Sequence, residues 1–530
     1  MAKFNIFRAR PAGTSPVATA PEPTRRTYEG GDGYARDAKS ELFLLAVSNM
    51  GGGEDTFYES GGQRDNRFAQ LVHETALADP EWTARLLAWL RGEANMRTAS
   101  LVGAAEFVLA RLVAESDVGV TNRAVVDSVL QRADEPGELL AYWTGTNGRR
   151  VPKPIKRGIA DAVGRLYNER AVLKWDSDAR GFRMADVLNL AHPSPAAPWQ
   201  GALFQYVLDR RRSAEADVPA ELRVIAARRE LMAWPVEQRR SLFSRPDAVD
   251  VLRQAGMTWE SVAGWLQGPL TREVWEALAP SMGYMALLRN LRNFDEAGMS
   301  DEAAAAVAAR LADPGQVARS RQFPFRFLSA YEAAPSLRWG HALDRALQAS
   351  LENLPALPGR SLILVDTSAS MTGGTISARS KVTPAKAAAV FGVALGAKGE
   401  QVDVVGFADG TFRHDIARGA SVIREVDRFL KRIGEVGHGT DIVGSLKRTY
   451  KGHDRVFIIS DMQTMSGYYG QGVSDVVPRH VPIYGFNLGG YRNAAYATGT
   501  AHRHEFGGLT DATFRMVPLF EAGQNATWPF

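Results

Sequence analysis

The hydrophobic pattern of this chain changes once, near residue 358, and the change divides the chain into two parts. From about residue 27 to 350, apolar residues recur three and four positions apart, as in Trp82, Leu86 and Trp89. This spacing is typical of amphipathic helices, of which we expect on the order of a dozen or more. Because so many helices cannot bury their faces in one bundle, the pattern predicts stacked, degenerate HEAT-like helix pairs.

Beyond residue 358, short apolar strands alternate with amphipathic helices. Strands are predicted at residues 361–365, 402–407, 456–460 and 483–486, and helices at 384–397, 421–433 and 442–450. This alternation predicts a parallel, doubly wound α/β sheet, in which ligands bind beyond the carboxyl ends of the strands. The predicted organisation is a flexible tail at residues 1–26, a helical part at 27–355 and an α/β domain at 356–530.

Composition excludes several classes of protein. Hydrophobic residues make up 45% of the chain, which argues against wholesale disorder. No apolar run comes near the roughly 20 residues of a membrane helix, so the sequence does not predict a membrane span. It has no cysteine, which excludes thiolate sites and favours a cytoplasmic location. The net charge of +4 neither requires nor excludes a nucleic acid partner, so any RNA-binding surface must come from local charge.

Oxygen-bearing side chains lie at the ends of three predicted elements of the α/β domain. Asp366, Ser368 and Ser370 come directly after the first strand, Thr440 precedes a helix, and Asp461 follows a later strand. Oxygen ligands of this kind suit Mg²⁺ or Mn²⁺ rather than zinc. The alternative is that these residues cap helices and satisfy loop backbone. In all five positions the set resembles the metal-ion-dependent adhesion site of von Willebrand factor A domains, which implies an open position for an acidic group of a partner.

Several phrases of the helical part resemble the TROVE module, namely residues 56–58 (TFY), 157–161 (RGIAD), 187–193 (VLNLAHP), 273–278 (EVWEAL) and 286–291 (ALLRNL). A TROVE module followed by a von Willebrand A domain is the architecture of the Ro autoantigen family, which includes bacterial orthologues. The resemblance implies a non-catalytic, monomeric ring of HEAT-like repeats closed by the A domain. Family members bind small Y RNAs on the outer surface and take single-stranded 3′ ends of misfolded or damaged RNA through a positively charged hole. Bacterial members resemble adaptors that present RNA to a 3′-to-5′ exoribonuclease.

The densest basic run carries five positive charges and no acid, from Arg149, Arg150, Lys153, Lys156 and Arg157. It enters a predicted helix through a turn rich in proline, where backbone amides also meet phosphate. The alternative is a solvated face that only keeps a connection soluble. From the residues alone these two interpretations stay open.

Other candidate RNA contacts depend more on the resemblance. Lys174, Arg180 and His192 flank a predicted helix at residues 181–192, and in the Ro family basic residues and a histidine of this segment contribute to Y RNA binding. A histidine at a helix end is otherwise a capping or packing residue. Arg289 and Arg292 share a helical face, where they line the hole or pair with an acid such as Glu276.

No phosphate-binding loop, zinc-protease motif or nucleophile elbow is present in the sequence. The leading hypothesis is therefore a non-catalytic RNA-binding scaffold whose A domain binds a partner through a divalent cation. The rival hypothesis is a metal-dependent protein-interaction or assembly module that does not bind RNA.

Overall fold

A computed structural model describes residues 13–48, 55–177, 181–376, 380–467 and 470–530. Within these ranges, the first two thirds of the chain contain twenty α-helices: α1 Ala38–Ser48, α2 Gly61–Ala78, α3 Pro80–Gly92, α4 Arg97–Val113, α5 Asn122–Val129, α6 Glu135–Asn147, α7 Lys153–Leu166, α8 Glu169–Trp175, α9 Met184–Ala191, α10 Pro198–Arg212, α11 Arg223–Met232, α12 Val236–Arg239, α13 Ala248–Gln254, α14 Trp259–Leu266, α15 Arg272–Leu278, α16 Tyr284–Glu296, α17 Asp301–Ala312, α18 Pro314–Ser320, α19 Phe325–Ala333 and α20 Leu337–Ala349.

Local sequence explains where these helices begin. The Ser60 side chain accepts the Gln63 backbone N–H and the Gln63 side chain returns to the Ser60 backbone, which forms a capping box before α2. Asp79 accepts the Trp82 backbone N–H at 3.1 Å, with Pro80 in the first turn of α3. The helices pack in pairs such as α2 with α4 and α5 with α7, as the spacing of apolar residues predicts.

The tryptophans of these helices belong to the core. Trp82, Trp89, Trp143 and Trp275 are each 5% exposed or less. Their burial confirms the interpretation that helical spacing places them in packing rather than on a surface for stacking bases.

The second part of the chain is an α/β domain around one six-stranded sheet. Its strands run in the order β5-β4-β3-β6-β7-β9, parallel except for β5 at the edge. The strands are β3 Arg360–Asp366, β4 Gln401–Phe407, β5 Thr411–His414, β6 Arg455–Ser460, β7 Ile483–Asn487 and β9 Arg503–Gly507, and the helices are α21 Ala369–Thr372, α22 Pro384–Lys398, α23 Val422–Leu430, α24 Ile442–Thr449, α25 Val473–Val476 and α26 Met516–Glu521. This arrangement confirms the predicted combination of a helical array with a doubly wound α/β domain.

The sequence does not predict β5 or β9. The first is a short edge strand whose residues alternate between exposed and buried. The second is buried along its whole length although it contains Arg503, His504 and Glu505. The charges of Arg503 and Glu505 are tolerated there because they have partners, such as the Val477 carbonyl, which accepts from Arg503 at 3.0 Å. A hydrophobic pattern cannot reveal a strand of this kind.

The N-terminal segment joins the α/β domain instead of forming a separate tail. Strand β2 (Asp32–Ala35) pairs with β1 (Arg25–Arg26) on one side and with β8 (Asn493–Ala494) on the other, in a small antiparallel sheet. Val17 is fully buried, and the Ala20 backbone N–H donates to the Ala35 carbonyl at 2.7 Å. Residues 13–20 are thus largely packed and residues 25–26 form a strand, although residues 21–26 are exposed, whereas composition predicts a flexible tail over residues 1–26.

Both ends of the helical array contact the α/β domain. At the first end, α1 lies beside β9, and the C-terminal Trp528 and Phe530 pack against Phe43 and Trp82. At the other end, α19 packs on α22 and α20 on α23. The helical array and the α/β domain therefore form a closed circuit, which helix periodicity alone does not predict.

Within the described ranges, no helix is both long enough and apolar enough to cross a membrane.

Candidate metal centre and nucleic-acid interface

The loop after β3 brings three of the five predicted metal ligands together. Asp366 ends the strand, and its Oδ1 accepts the Ser368 backbone N–H at 2.8 Å. Its Oδ2 accepts the Ser460 hydroxyl at 2.5 Å. The hydroxyl oxygens of Ser368 and Ser370 lie 3.2 Å apart, and all of these side chains are buried. The hydrogen bonds hold the oxygen atoms in one small region at the carboxyl edge of the sheet.

Two further loops carry the remaining predicted ligands to the same edge. Asp461 follows β6, and its Oδ1 accepts the Gln463 backbone N–H at 3.1 Å. Thr440 precedes α24, and its carbonyl accepts the Met465 backbone N–H at 2.9 Å. The loop of Thr440 also touches the loop of β3, because the His438 carbonyl accepts an N–H from that loop at 2.8 Å. The three loops thus meet at one place.

The surroundings of the two carboxylates, Asp366 and Asp461, disfavour their ionised forms. Burial raises the pKa of Asp366 to about 6. Burial, reinforced by the charge of Asp366, raises the pKa of Asp461 to about 7. Within the described ranges, Asp461 Oδ2 is buried without a hydrogen-bond partner, and no lysine or arginine forms an ion pair with either carboxylate. A positive charge beside the pair would stabilise its ionised form.

The chemistry of the donors fits a hard divalent cation. Two carboxylates and three hydroxyls offer only oxygen atoms, which Mg²⁺ and Mn²⁺ prefer and which zinc sites rarely use alone. Since only two of the five groups are carboxylates, the described part of the chain shows no cluster of three or more His, Cys, Asp or Glu suited to a metal. The capping alternative does not explain Ser368, whose side chain makes no capping hydrogen bond to α21.

Sequence reasoning missed several groups that surround this place. Ser460 donates to Asp366, and Phe57, Arg64 and Tyr491 of distant segments line the small cavity at Asp461. The sequence could have indicated Ser460, because this residue directly precedes the predicted ligand Asp461 at the end of a strand. Phe57 and Arg64 carry no such signal, since they reach the site only through contact between the helical array and the α/β domain.

Five cations surround the start of α7, and we call them the α7 basic cluster: Arg149, Arg150, Lys153, Lys156 and Arg157. All are exposed except Lys156, which is half-buried. No ion pair to any of the five occurs in the described ranges, whereas nearby Arg123 pairs with Asp161 at 2.5 Å. The first turn of α7 contains no acidic residue. The cluster is therefore a solvent-facing patch of uncompensated positive charge.

The second group of predicted RNA contacts is only partly described. Lys174 is exposed in the last turn of α8, with its ammonium 4.9 Å from the centre of the Trp175 ring. His192 is exposed and ends α9 with a left-handed backbone, φ +49°. Its side chain is thus available at the surface rather than packed in the core. Arg180 lies outside the described residues.

The third group lies on α16. Arg292 forms an ion pair with Glu296 of its own helix at 3.4 Å, and not with Glu276, which accepts from Arg272 at 3.0 Å. Both partners of the Arg292 pair are about two thirds exposed, so the pair is weak. Arg289 is exposed, and no ion pair to it occurs in the described ranges.

A third arginine, which sequence reasoning missed, lies next to Arg289. Burial lowers the pKa of Arg326 on α19, and the charge of Arg289 lowers it further.

Three comparisons with known proteins agree with this architecture. Residues 254–339 match the TROVE domain. The chain is 26% identical over 415 residues to the RNA-binding protein RO60 of Deinococcus radiodurans, and the match covers 73% of each chain. Its fold matches a crystal structure of the Ro (Rsr) protein of Deinococcus radiodurans with a TM-score of 0.60 and 18% identity, over 92% of this chain and 100% of that one.

The structural comparison supports the fold, while the domain match and the curated relative show similarity in sequence. The matched domain spans α14 to α19, which includes the ALLRNL phrase at residues 286–291. The curated relative extends the likeness well beyond that domain. The chain is therefore similar in sequence and fold to the Ro proteins of Deinococcus radiodurans, and its residues 254–339 match the TROVE domain.

Proposed function

We propose that this protein is a non-catalytic RNA-binding scaffold. It holds a small Y-like RNA on the outer surface of its ring and single-stranded 3′ ends of misfolded or damaged RNA in the hole. It then presents those RNAs to a 3′-to-5′ exoribonuclease of the cytoplasm. The relative from Deinococcus radiodurans is named as an RNA-binding protein, which supports RNA as the partner.

The α7 basic cluster is the observation that carries this proposal. Many arginines of the helical part are neutralised by acids, such as Arg165 by Asp127 at 2.7 Å and Arg97 by Glu138. The five cations of the cluster keep their charge exposed, and such charge binds RNA phosphates by releasing counterions. Because phosphate contacts position an RNA without reading bases, shape and single-stranded character are expected to decide which RNA binds.

The first experiment compares a stem-loop RNA that has a single-stranded 3′ tail with the same stem made blunt. Gel-shift titration is expected to show tighter binding of the tailed RNA, since an unpaired strand fits a hole that a duplex cannot enter. A stem with an equally long 5′ tail is the control for added phosphates. Equal affinity for the three RNAs would contradict the role of the hole. No binding of any RNA at low salt would contradict the scaffold and favour the rival protein-interaction module.

The loops at the edge of the sheet add a second part to the proposal, a site for Mg²⁺ or Mn²⁺. Asp366, Ser368, Ser370, Thr440 and Asp461 would hold the cation. A bound cation supplies positive charge that stabilises the ionised carboxylates and attracts one further acidic group. The unpartnered Oδ2 of Asp461 is the observation that favours this site.

Saturation with Mg²⁺ or Mn²⁺ is expected to raise the midpoint of thermal unfolding, because a ligand that binds only the folded state stabilises it. At about 100 times the Kd, the stabilisation is about 2.7 kcal/mol. The variant Asp461→Asn is expected to lose this shift in differential scanning fluorimetry.

The matched control for this experiment is Asp441→Asn in the neighbouring loop. Asp441 accepts the Gly444 backbone N–H at 2.7 Å and caps α24. Because asparagine caps a helix about as well as aspartate, this replacement is expected to change stability little and to leave the cation-dependent shift in place. An equal shift in wild type and Asp461→Asn would contradict the proposed site.

A further inference from the structure

A cavity of about 320 Å³ lies among α8, α14, α16 and the segment that follows α18, and we call it the α16 pocket. Two buried methionines, Met257 and Met282, line it together with the half-buried rings of Trp259 and Tyr284. Lys174, one of the candidate RNA contacts, also lines it and is exposed. The volume lies at the lower end of the range of cavities that bind small organic groups.

The two aromatic rings of the α16 pocket are held in place by the core. The ring centre of Trp259 lies 5.9 Å from that of Trp275, and the ring centre of Tyr284 lies 6.3 Å from that of Phe327. The Tyr284 hydroxyl also donates to the Leu311 carbonyl at 2.8 Å. Fixed aromatic rings beside a cavity suit a planar ligand, and every nucleobase has a π face that stacks on such a ring.

The polar side chains of the α16 pocket offer mainly acceptors. The Ser281 and Ser320 hydroxyls donate to carbonyls of their own turns at 3.0 and 2.7 Å, so their protons are engaged. Gln322 Nε2 donates to the Ser320 carbonyl at 3.0 Å, which leaves its side-chain oxygen to accept. Glu260 adds an exposed carboxylate, to which no ion pair occurs in the described part of the chain. A ligand whose edge carries N–H donors complements these oxygen atoms.

Positive charge lies beside these acceptors. The Lys174 ammonium lies over the Trp175 ring, and among the described residues no acid forms an ion pair with it. The first turn of α16 begins at Gly283 without a side-chain cap and contains no acidic residue, so its backbone N–H groups add further donors. A ligand that combines a planar group with an adjacent phosphate satisfies both kinds of lining.

A second cavity of about 320 Å³ shows that size alone does not single out the α16 pocket. It lies beside α3, the segment after α18 and the end of the α/β domain, and no aromatic side chain lines it among the described residues. Its Arg515 is already paired with Glu93 at 2.9 Å. Only the α16 pocket therefore combines aromatic rings with a cation that lacks an acidic partner within the described ranges.

We propose that the α16 pocket binds one unpaired base of the bound RNA, with Lys174 beside the neighbouring phosphate. A base with an exocyclic amino group fits best, because its N–H groups donate to Glu260 and to the side-chain oxygen of Gln322. This inference rests on the RNA-binding function proposed above. It adds a contact that reads bases to the phosphate contacts of the α7 basic cluster, which read none.

The test uses one RNA stem with three single-stranded 3′ tails of equal length, made of cytosine, uracil or abasic nucleotides. All three tails carry the same phosphates. In fluorescence titration, wild type is expected to bind the cytosine tail about 5- to 100-fold more tightly than the abasic tail. It is expected to bind cytosine about 5-fold more tightly than uracil, because uracil has a carbonyl oxygen where cytosine has its amino group.

The variant Gly283→Leu narrows the α16 pocket without straining the backbone. Gly283 lines the pocket with a φ of −69°, and a Cβ added there meets no atom within 4 Å. The matched control is Gly264→Leu on α14, an exposed position where an added Cβ is equally free and which does not line the pocket. Gly283→Leu is expected to bind the three tails alike, whereas Gly264→Leu is expected to keep the order found in wild type.

The outcomes separate this pocket from the scaffold proposal. Equal affinity of wild type for cytosine and abasic tails would overturn the α16 pocket, while a preference for tailed over blunt stems would leave the scaffold standing. Equal affinity for cytosine and uracil tails would overturn the role of Glu260 and Gln322 as acceptors. Equal losses in the two glycine variants would assign the effect to helix stability and overturn the pocket. No binding of any tailed RNA would overturn the proposed function itself.

Discussion

Replacement of the five cations of the α7 basic cluster by glutamine is expected to weaken binding of a structured small RNA on the order of 10²- to 10³-fold at low salt. The cluster faces solvent and has no acidic partner in the described ranges, so its charge is available to phosphates. Each cation that contacts a phosphate contributes about one to the slope of log affinity against log salt. The slope of the variant is therefore expected to be shallower by about four to five.

Gel-shift or fluorescence titration at several salt concentrations measures both quantities. The matched control removes five exposed cations that already have acidic partners, which changes the net charge equally: Arg245, Arg253, Arg272, Arg413 and Lys431. This control is expected to lose less than tenfold in affinity. If the two variants weaken binding equally, net charge and not the cluster accounts for the interaction, and the RNA path lies elsewhere on the ring.

The sequence predicts the helical array and most strands of the α/β domain because each element carries its own periodic pattern. Strand β3 is an example: a continuous apolar run at residues 361–365 reads as a buried strand, and the structure extends it by one residue at each end. Strand β9 is the opposite case. Its Glu505 is stabilised by Arg36, which lies 469 residues away, so nothing local reveals the strand. Contacts of this range depend on tertiary packing.

The same distinction applies to the candidate metal centre. The motif positions Asp366, Ser368 and Ser370 are adjacent in sequence, and parallel topology brings Asp461 to the same edge, so the sequence suffices to place them together. Phe57 and Arg64, which line the cavity at Asp461, come from the helical part. They reach the site only because both ends of the helical array contact the α/β domain. No local sequence pattern predicts this contact.

Arg36 and Glu505 form the strongest ionic link between the N-terminal segment and the sheet. Arg36 Nε and Nη2 donate to the two oxygens of Glu505 at 2.9 and 2.6 Å, and Nη1 donates to the Tyr491 carbonyl at 2.6 Å. Glu505 also accepts from Asn487 at 2.9 Å. The side chains of Arg36 and Glu505 are 0% and 1% exposed, so neither charge is solvated by water.

The variant Arg36→Met is therefore expected to lose about 3–5 kcal/mol of the free energy of unfolding, because it leaves the Glu505 carboxylate buried without its cation. Urea unfolding followed by tryptophan fluorescence measures the loss. The double variant Arg36→Met/Glu505→Met is expected to lose less, since it leaves no uncompensated charge. The control Arg26→Met breaks an exposed pair with Asp32 in the same segment, 2.8 Å long, and is expected to cost less than about 1 kcal/mol. Equal losses for Arg36→Met and Arg26→Met would show that the buried pair does not fasten the N-terminal segment to the sheet.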